Sequence, residues 1–556
     1  MKINPIIKKL LNKRGIISDE DIIEFLSEKP QKTYDPFLLP DMEAGVDLIL
    51  SETKNNSNIW VYGDYDADGI TSTTLMISIL SHLTDKNNLN YYIPSRFEEG
   101  YGLNKEAIEY IASQGCDLLI TVDCGSVSYD EVEFAKSLGL KVLVTDHHNI
   151  TDVMADCLLI NPKHPQSIYP FKELSGCGVA FKVAQAIQQK ANLPKNILTQ
   201  VLDLVAIGTV GDIMPLVDEN RTMVKFGLKV LRMCNRPGLV KLIEGTSLQS
   251  EKITSENISF VIVPHLNASG RIEDATQAVE LLLGVCDEKR LEEIVSDVIN
   301  KNQVRRKLQG ELFKKCSQTI EANPIGNIVM IYEEDAHEGI AGIVAGKIKE
   351  TYYRPAIIMT AIGTDNEEVK GTSRSVESLN LYELLKTQEH LFLKFGGHSG
   401  ACGFSLKKDD LPRLREGLMA EMAEIVKENP EIFKRKYDID LELSPKDISM
   451  DLANQLQMLA PFGNKNPKPL IICKDAIIED IKLMGSDKQH LRFTASDFGG
   501  NKIQCVLFNK AKEYNLDEIE RSTCNIIGSV ECQVWQGSKR LQFIADEIQF
   551  DEKLPE

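Results

Sequence analysis

Three short runs of apolar, mostly β-branched residues constrain this chain more than any other feature: Ile59–Tyr62 (IWVY), Leu118–Val122 (LLITV) and Lys141–Thr145 (KVLVT). Each passes through polar residues into a helical pattern, which is the alternation of a parallel α/β sheet covered on both faces. The residues just past each run carry the chemistry. WVYGDYDADGITST places Asp64, Asp66 and Asp68 after the first, with Gly69 permitting a tight turn into a helix starting near Ser72. ITVDCGS places Asp123 after the second, and LVTDHHN places Asp146, His147 and His148 after the third. In an open α/β sheet, ligands bind outside the carboxyl ends of the strands. An isolated D-x-D-x-D-G is as often a solvated turn as a site, and a lone DHH is more often a turn with a surface histidine pair. Three successive strand ends offering carboxylates and imidazoles at one edge are different, because clustered carboxylates repel unless a cation neutralises them. A mixed Asp and His donor set suits hard divalent ions and the pairing of two of them. Asp212 in AIGTVGDIMPL is a fourth contributor, since a polar Gly-rich knot, Gly208–Asp212, between apolar helical stretches has no packing purpose.

With 556 residues the chain exceeds a single core, and three or four domains are expected. Asn196–Leu231 reads as helix, loop and helix around the polar knot. The charged, proline-free stretch Leu281–Gln318 suits a long connecting helix, and a second α/β unit begins at Ile328–Tyr332 (IVMIY). After Pro430 the texture changes to short strands with Gly, Asn and Asp turns: Leu470–Cys473, Ile478–Met484, Gln489–Ala495, Lys502–Leu507, Cys524–Val534 and Arg540–Glu547. That pattern predicts a small oligonucleotide/oligosaccharide-binding (OB) type β-barrel. Within it, Trp535 and Phe543 are either base-stacking platforms or core. The expected boundaries are 1–50 for an N-terminal docking segment whose DPFLLPDMEAG leads into the first helix, 51–285 for the parallel-sheet domain, 286–322 for the connecting helix, 323–430 for the second, smaller α/β domain, and 431–556 for the barrel.

Composition narrows the class. Hydrophobic residues at 43% and charged residues at 26% are ordinary for a soluble globular protein. The 12 cysteines include no C-x-x-C pair, which predicts neither a zinc knuckle nor a disulfide framework but thiols kept reduced. MKINPIIKKLLNKRG interrupts its apolar run with lysines, and no stretch of about 18 apolar residues occurs. The expectation is a cytoplasmic monomer with no membrane partner. A net charge of −19 excludes a uniformly basic nucleic-acid coat.

The set GDYDADG, VDCG, DHH and GTVGD, in this order, resembles the DHH phosphoesterase superfamily. HLNASGRIEDA (from His265), HEGIAGIVAGKI (from His337), GTSRS (from Gly371) and FGGHSGACGF (from Phe395) resemble its second-domain motifs. With a barrel tail containing PFGNKNP, the set is similar to the single-strand-specific exonuclease branch over about residues 50 to 550. The resemblance implies a DHH domain, a DHHA1 domain and an OB fold, and 5′-to-3′ degradation of single-stranded DNA in repair and recombination. It also implies two divalent ions, Mn2+ preferred or Mg2+. By the same resemblance Asp66, Asp68, Asp123, His147 and Asp212 are metal ligands with Asp123 bridging, and Asp64 and Asp146 are additional carboxylates, one of which orients the ligand imidazole. Asp123, Asp146 and His148 fall to catalysis, His148 either touching the scissile phosphate or only bonding a neighbouring strand end. Asn267, Ser269, Gly270 and Arg271 fall to the scissile phosphate, Ser373, Arg374 and His398 to other phosphates, and Arg96 to the 5′ phosphate. A single-strand-binding protein and a helicase are the implied partners. Two rivals stand beside this reading. A superfamily member acting on short oligonucleotides or cyclic dinucleotides would generally lack the barrel, and a non-catalytic DNA-binding scaffold would lack some of the ligands that are all present here.

Overall fold

The computed structural model describes residues 3–151, 153–284, 286–363, 367–520, 522–535 and 538–550. The α/β expectation holds. Strands β1 (Ile59–Tyr62), β2 (Leu89–Tyr92), β3 (Leu118–Val122), β4 (Lys141–Thr145) and β5 (Leu158–Ile160) form an all-parallel sheet in the order β2-β1-β3-β4-β5. β1 and β3 are buried along their whole length because helices cover both faces. Successive side chains alternate between faces: Ile59, Val61, Leu118 and Ile120 enter one apolar cluster, and Trp60, Tyr62, Leu119 and Val144 enter the other. The chain leaves β1 towards β2 on one side and returns to β3 on the other. The carboxyl ends of β1 and β3 therefore flank the point where strand order reverses, and a crevice opens there.

The long helix Glu288–Glu321 starts at Asp287, whose side chain accepts from the Arg290 N–H. At 34 residues it is about 50 Å long. Its first half buries Leu291, Ile294 and Val298 in the first domain, and its second half buries Leu312, Cys316 and Ile320 in the second. That second domain carries β6 (Val329–Tyr332), β7 (Ala356–Ile362), β8 (Glu368–Arg374), β9 (Phe392–His398) and β10 (Ala401–Lys407) in the order β6-β7-β8-β10-β9, antiparallel except for β6 with β7.

The C-terminal sheet holds β11 (Leu441–Leu443), β12 (Ile471–Met484), β13 (His490–Ser496), β14 (Lys502–Leu507), β15 (Thr523–Trp535) and β16 (Ser538–Phe550), and pairing of β12 with β15 closes the barrel. Two strands expected at Leu470–Cys473 and Ile478–Met484 are one, because the Lys474–Asp475 interruption is a bulge within continuous pairing rather than a turn. Phe543 is core, and the Trp535 side chain lies outside the described residues. The first 50 residues, read as one docking segment, divide. Helices Pro5–Lys13 and Asp19–Leu26 bury Ile7, Leu10, Leu11, Ile22 and Leu26 in the barrel's core, whereas Met42–Lys54 packs on the parallel sheet. The knot at Gly208–Asp212 is not a loop: helix Leu202–Gly211 runs through it and ends at Asp212. No cysteine forms a disulfide, and among the described residues no helix is long and apolar enough to cross a membrane.

Candidate metal centre and anion cleft

The ends of β1, β3 and β4 bring Asp64, Asp66, Asp68, Asp123 and His147 together with Asp212. Asp66 caps the helix Ala67–Leu80, its Oδ1 accepting from the N–H groups of Asp68 (2.9 Å) and Gly69 (3.1 Å). Asp68 is held by the N-terminus of helix Gly176–Lys190, where the Gly176 and Cys177 N–H groups donate to its two oxygens at 2.6 and 2.9 Å. Only glycine permits this approach: a Cβ on Gly176 would lie 2.5 Å from Asp123 Oδ1, and one on Gly208 2.5 Å from Asp68 Oδ1. The Gly-rich knot thus lets a helix end pass directly over the acidic cluster. Asp123 turns off β3 with φ +62° while its N–H donates to Thr145 O (3.0 Å). His147 Nε2 stands 3.1 Å from Asp123 Oδ1, 3.5 Å from Asp212 Oδ2 and 3.9 Å from Asp68 Oδ2.

Three overlapping groups of donors have ligand atoms within 4.8 Å of one another: Asp68–His147–Asp212, Asp64–Asp66–Asp123 and Asp123–Asp146–His147–His148, the first two adjoining and the third lying across them through Asp123 and His147. Asp64 Oδ1, Asp123 Oδ1 and His147 Nε2 are buried without a hydrogen-bond partner, and each such orphan costs about 1–3 kcal/mol unless something else meets it. Burial, and next to it the charge of Asp66, pushes Asp64 up to about 8 and Asp212 up to about 7. Asp68 and Asp123 are driven well above the usual carboxylate range by burial and their acidic neighbours. Burial also pushes His147 down to about 3, leaving a neutral imidazole as a metal ligand requires. Orphaned donors, repelling carboxylates and oxygen–nitrogen chemistry all fit a pair of divalent cations.

Asp146 plays a different part from the catalytic one expected. Its Oδ2 accepts from Ser126 N (3.0 Å), and its Oδ1 accepts from His147 N (2.7 Å) and contacts His148 Nδ1 (2.8 Å), so both oxygens are spent on orientation. Burial alone would raise its pKa, but the His148 hydrogen bond and charge outweigh that and hold the carboxyl below the usual range. His148 answers in kind: burial lowers it, and Asp146 more than reverses this, raising it above its ordinary value. The Tyr101 hydroxyl lies 3.0 Å from His148 Nδ1, a neighbour that sequence reasoning missed although it sits in the same PSRFEEGYG string as Arg96.

Beside the acidic cluster lies a cationic one. Burial, reinforced by Arg96, Arg305 and Arg374, lowers Arg271 to about 10. Arg271 donates to Gly339 O (3.1 Å), Arg96 stacks 4.2 Å over the Tyr65 ring, and Arg374 donates to its own neighbour's carbonyl, Ser373 O (2.8 Å). Among the described residues none of these four guanidinium groups is in ion-pair contact with a carboxylate, and the Nε groups of Arg96 and Arg305 are buried without partners. Four partly buried cations with no carboxylate in ion-pair contact make an anion site. Arg305, on the long helix, was not foreseen. Contrary to expectation, Ser373, Ser269 and Gly270 present no side chain to this cleft. Ser373 is fully buried and donates to Cys402 O (2.9 Å), because adjacent strand residues face opposite ways; Thr372, not Ser373, shares the face of Arg374 against helix Glu338–Tyr352. Ser269 and Gly270 are buried, Gly270 against Tyr65, whereas Asn267 and Arg271, four apart, share the helix face turned to the cleft. His398 is exposed and lies opposite Ala401, which pairs with Arg374, so it stands at the same sheet edge two strands away.

Comparison with known proteins finds the same three-domain order. The DHH family N-terminal domain matches residues 58–209, the DHHA1 domain 326–424 and the RecJ OB domain 439–547. The chain is 36% identical over 551 residues to the single-stranded-DNA-specific exonuclease RecJ of Bacillus subtilis, covering 98% of this chain and 68% of that protein. It is 31% identical over 570 residues to the Escherichia coli protein of the same name, covering 98% and 96%. The crystal structure of RecJ in complex with Mn2+ from Thermus thermophilus superposes with a TM-score of 0.83 at 25% identity, covering 99% of this chain and 77% of that one. With matches to all three domain models and 31–36% identity to these relatives over 98% of its length, the chain belongs to the RecJ family of DHH phosphoesterases.

Proposed function

We propose that this protein is a 5′-to-3′ exonuclease that hydrolyses single-stranded DNA to mononucleotides with two divalent ions, Mn2+ preferred or Mg2+. The observation that carries this reading is the juxtaposition of the orphaned carboxylate–imidazole cluster with four unpaired arginines, in a chain that also carries an OB barrel. Asp68, His147 and Asp212 would hold one ion and Asp64 and Asp66 the other, with Asp123 between them. Such a pair supplies a nucleophilic oxygen at neutral pH and neutralises charge on the leaving oxygen. Everything else falls to the chain. Arg271 and Asn267 hold the scissile phosphate, and His148, steadied by Asp146, donates to it. Arg96, Arg374 and Thr372 anchor the terminal 5′ phosphate, and anchoring the end at a fixed distance from the acidic cluster is what sets polarity and a one-nucleotide step. Arg305 adds charge between the two groups. The barrel supplies sequence-independent contacts to the strand beyond the reaction centre. The site of action is the cytoplasm, and a helicase that frees 5′ ends and a single-strand-binding protein are the partner classes such an activity requires. Digestion of 5′- and 3′-labelled single strands and duplexes, with Mn2+ or with chelator, tests the reading. Release of labelled mononucleotide from the 5′ end of single strands only, and only with metal, is expected; release from the 3′ end, or from duplex equally well, would reject it.

A further inference from the structure

The PFGNKNP motif, Pro461–Pro467, lies more than 200 residues after Asp212, and the fold returns it to the segment that directly follows that carboxylate. Asp212 ends the helix Leu202–Gly211, and the next residue, Ile213, adopts φ +56°. For a β-branched residue this conformation is strained, and such strain persists only where neighbouring structure holds it. Side-chain packing does not: Ile213 is 69% exposed. The holding is done through its backbone. Its N–H donates to Val210 O (3.2 Å) and the following Met214 N–H to Thr209 O (3.1 Å), which closes the helix end, while its carbonyl, left free by the helix, accepts from the side-chain amide of Asn464 (2.7 Å). Asn464 grips the segment a second time, its own carbonyl accepting from Leu216 N (2.8 Å).

The rest of the motif is built to present Asn464. Gly463 lies so close to Leu216 that a Cβ there would sit 2.7 Å from Leu216 Cδ1. Buried Asn466 closes the turn, exchanging backbone hydrogen bonds with Gly463 and donating to Leu459 O and Pro461 O at 2.9 and 2.8 Å. Arg221, from the helix that follows Asp212, fixes the base of the turn by donating to Leu459 O (2.8 Å) and Ala460 O (2.9 Å).

From this we infer that Asn464 is a positioning residue for the metal centre: by pinning the strained Ile213 peptide, the approach to the OB barrel fixes Asp212 in its ligating orientation. The C-terminal unit then serves two ends, contact with the strand and completion of the ligand set. The inference rests on the reading of Asp212 as a metal ligand.

Titration calorimetry of Mn2+ into the full-length protein without DNA is the test, with Asn464→Ala as the variant and oligonucleotide binding in chelator as the control. Loss of an outer hydrogen bond made by a ligand lowers metal affinity about 10–100-fold, and the Asn464 bond, made to the peptide after Asp212, should fall at the low end, about tenfold. That loss is expected, with oligonucleotide affinity in chelator unchanged. In the Asn464→Ala background, Ile213→Gly should recover much of the lost affinity, because glycine adopts the positive φ unaided. If Asn464→Ala does not fold, Gly463→Ala, which pushes the turn off Leu216, should show the same loss. Wild-type Mn2+ affinity in a folded Asn464 or Gly463 variant would overturn the inference. Absence of Mn2+ binding by the wild type would instead reject the metal-centre reading beneath it.

Discussion

Filling the metal centre should expel protons, and how many follows from the electrostatics of the site. Burial together with Asp66 lifts Asp64 to about 8 and Asp212 to about 7, and Asp68 and Asp123 also lie well above the usual range. His147, pushed to about 3 mainly by burial, is neutral at pH 7 and has no proton to give. At pH 7 the cluster without cations therefore keeps more than one proton on its carboxylates, and a divalent ion, which needs them ionised, displaces these. Affinity for Mn2+ should rise by roughly tenfold or more per pH unit between about pH 6 and 8. The sign for folding is the opposite. A carboxylate with a raised native pKa binds more protons folded than unfolded, so the chelated protein should lose stability as pH climbs from about 4 towards 8. For Asp64 alone the loss is on the order of 5 kcal/mol, and Mn2+ at a hundred times its Kd should return about 2.7 kcal/mol. Calorimetry at pH 7 in two buffers of different ionisation enthalpy counts the released protons, and denaturant unfolding in chelator from pH 5 to 8 gives the stability slope. Zero proton release with pH-independent Mn2+ affinity would refute the reasoning.

Asp123→Ala removes the carboxylate of one donor group, Asp64–Asp66–Asp123, that also stands 3.1 Å from His147 Nε2 of the adjoining one, and should abolish hydrolysis of 5′-labelled strands while oligonucleotide binding in chelator persists; full activity would sink the two-ion proposal. Arg374→Ala should raise KM more for a 5′-phosphorylated strand than for a 5′-hydroxyl strand. Ser373→Ala should leave both KM values alone and lower stability by about 1 kcal/mol, the worth of its hydrogen bond to Cys402 O. Leu10→Ala should destabilise the C-terminal barrel by about 2–5 kcal/mol, since Leu10 is fully buried in that core; protease cleavage appearing first between residues 471 and 550 would show it, and cleavage confined to the parallel-sheet domain would contradict it.

The strands β1, β3 and β4 were legible to the residue because a strand buried on both faces reads as an uninterrupted apolar run, and the clustering of Asp64, Asp66, Asp68, Asp123 and His147 was legible because they follow those runs directly, whereas Asp212 ends a helix. Arg305 was not. In KNQVRRKLQG it looks like one more solvated helix charge, and only the passage of the long helix between two domains takes it out of water. The N-terminal helices show which faces they bury, but no local pattern says that the partner lies beyond residue 440. Ser373 is a different kind of miss. The period of two along a strand already separates it from Arg374, and Thr372 could have been chosen from sequence alone. Asn464 was invisible for the same reason as Arg305: an asparagine between Gly and Lys reads as a turn until its partner, a strained peptide 251 residues earlier, is seen.

The net charge of −19 and the proposed affinity for a polyanion are reconciled by where the charges sit. Six of the acidic groups, Asp64, Asp66, Asp68, Asp123, Asp146 and Asp212, surround the metal centre, where cations or hydrogen-bond donors offset them. Arg96, Arg271, Arg305 and Arg374 meet no carboxylate among the described residues and stand close enough to lower the pKa of Arg271 together. A strand entering the cleft therefore meets about four cations that form no ion pair, beside a carboxylate cluster that stays partly protonated when no metal is bound. Counterion release at about four phosphates gives a slope of log affinity against log salt of roughly −3 for a single strand, and Arg305→Ala should make it shallower by about one phosphate's share. Oligonucleotide binding measured in chelator with increasing NaCl decides the matter. A slope near zero would mean the arginines are spent on the fold, whereas a far steeper one would place most phosphate contacts outside the cleft.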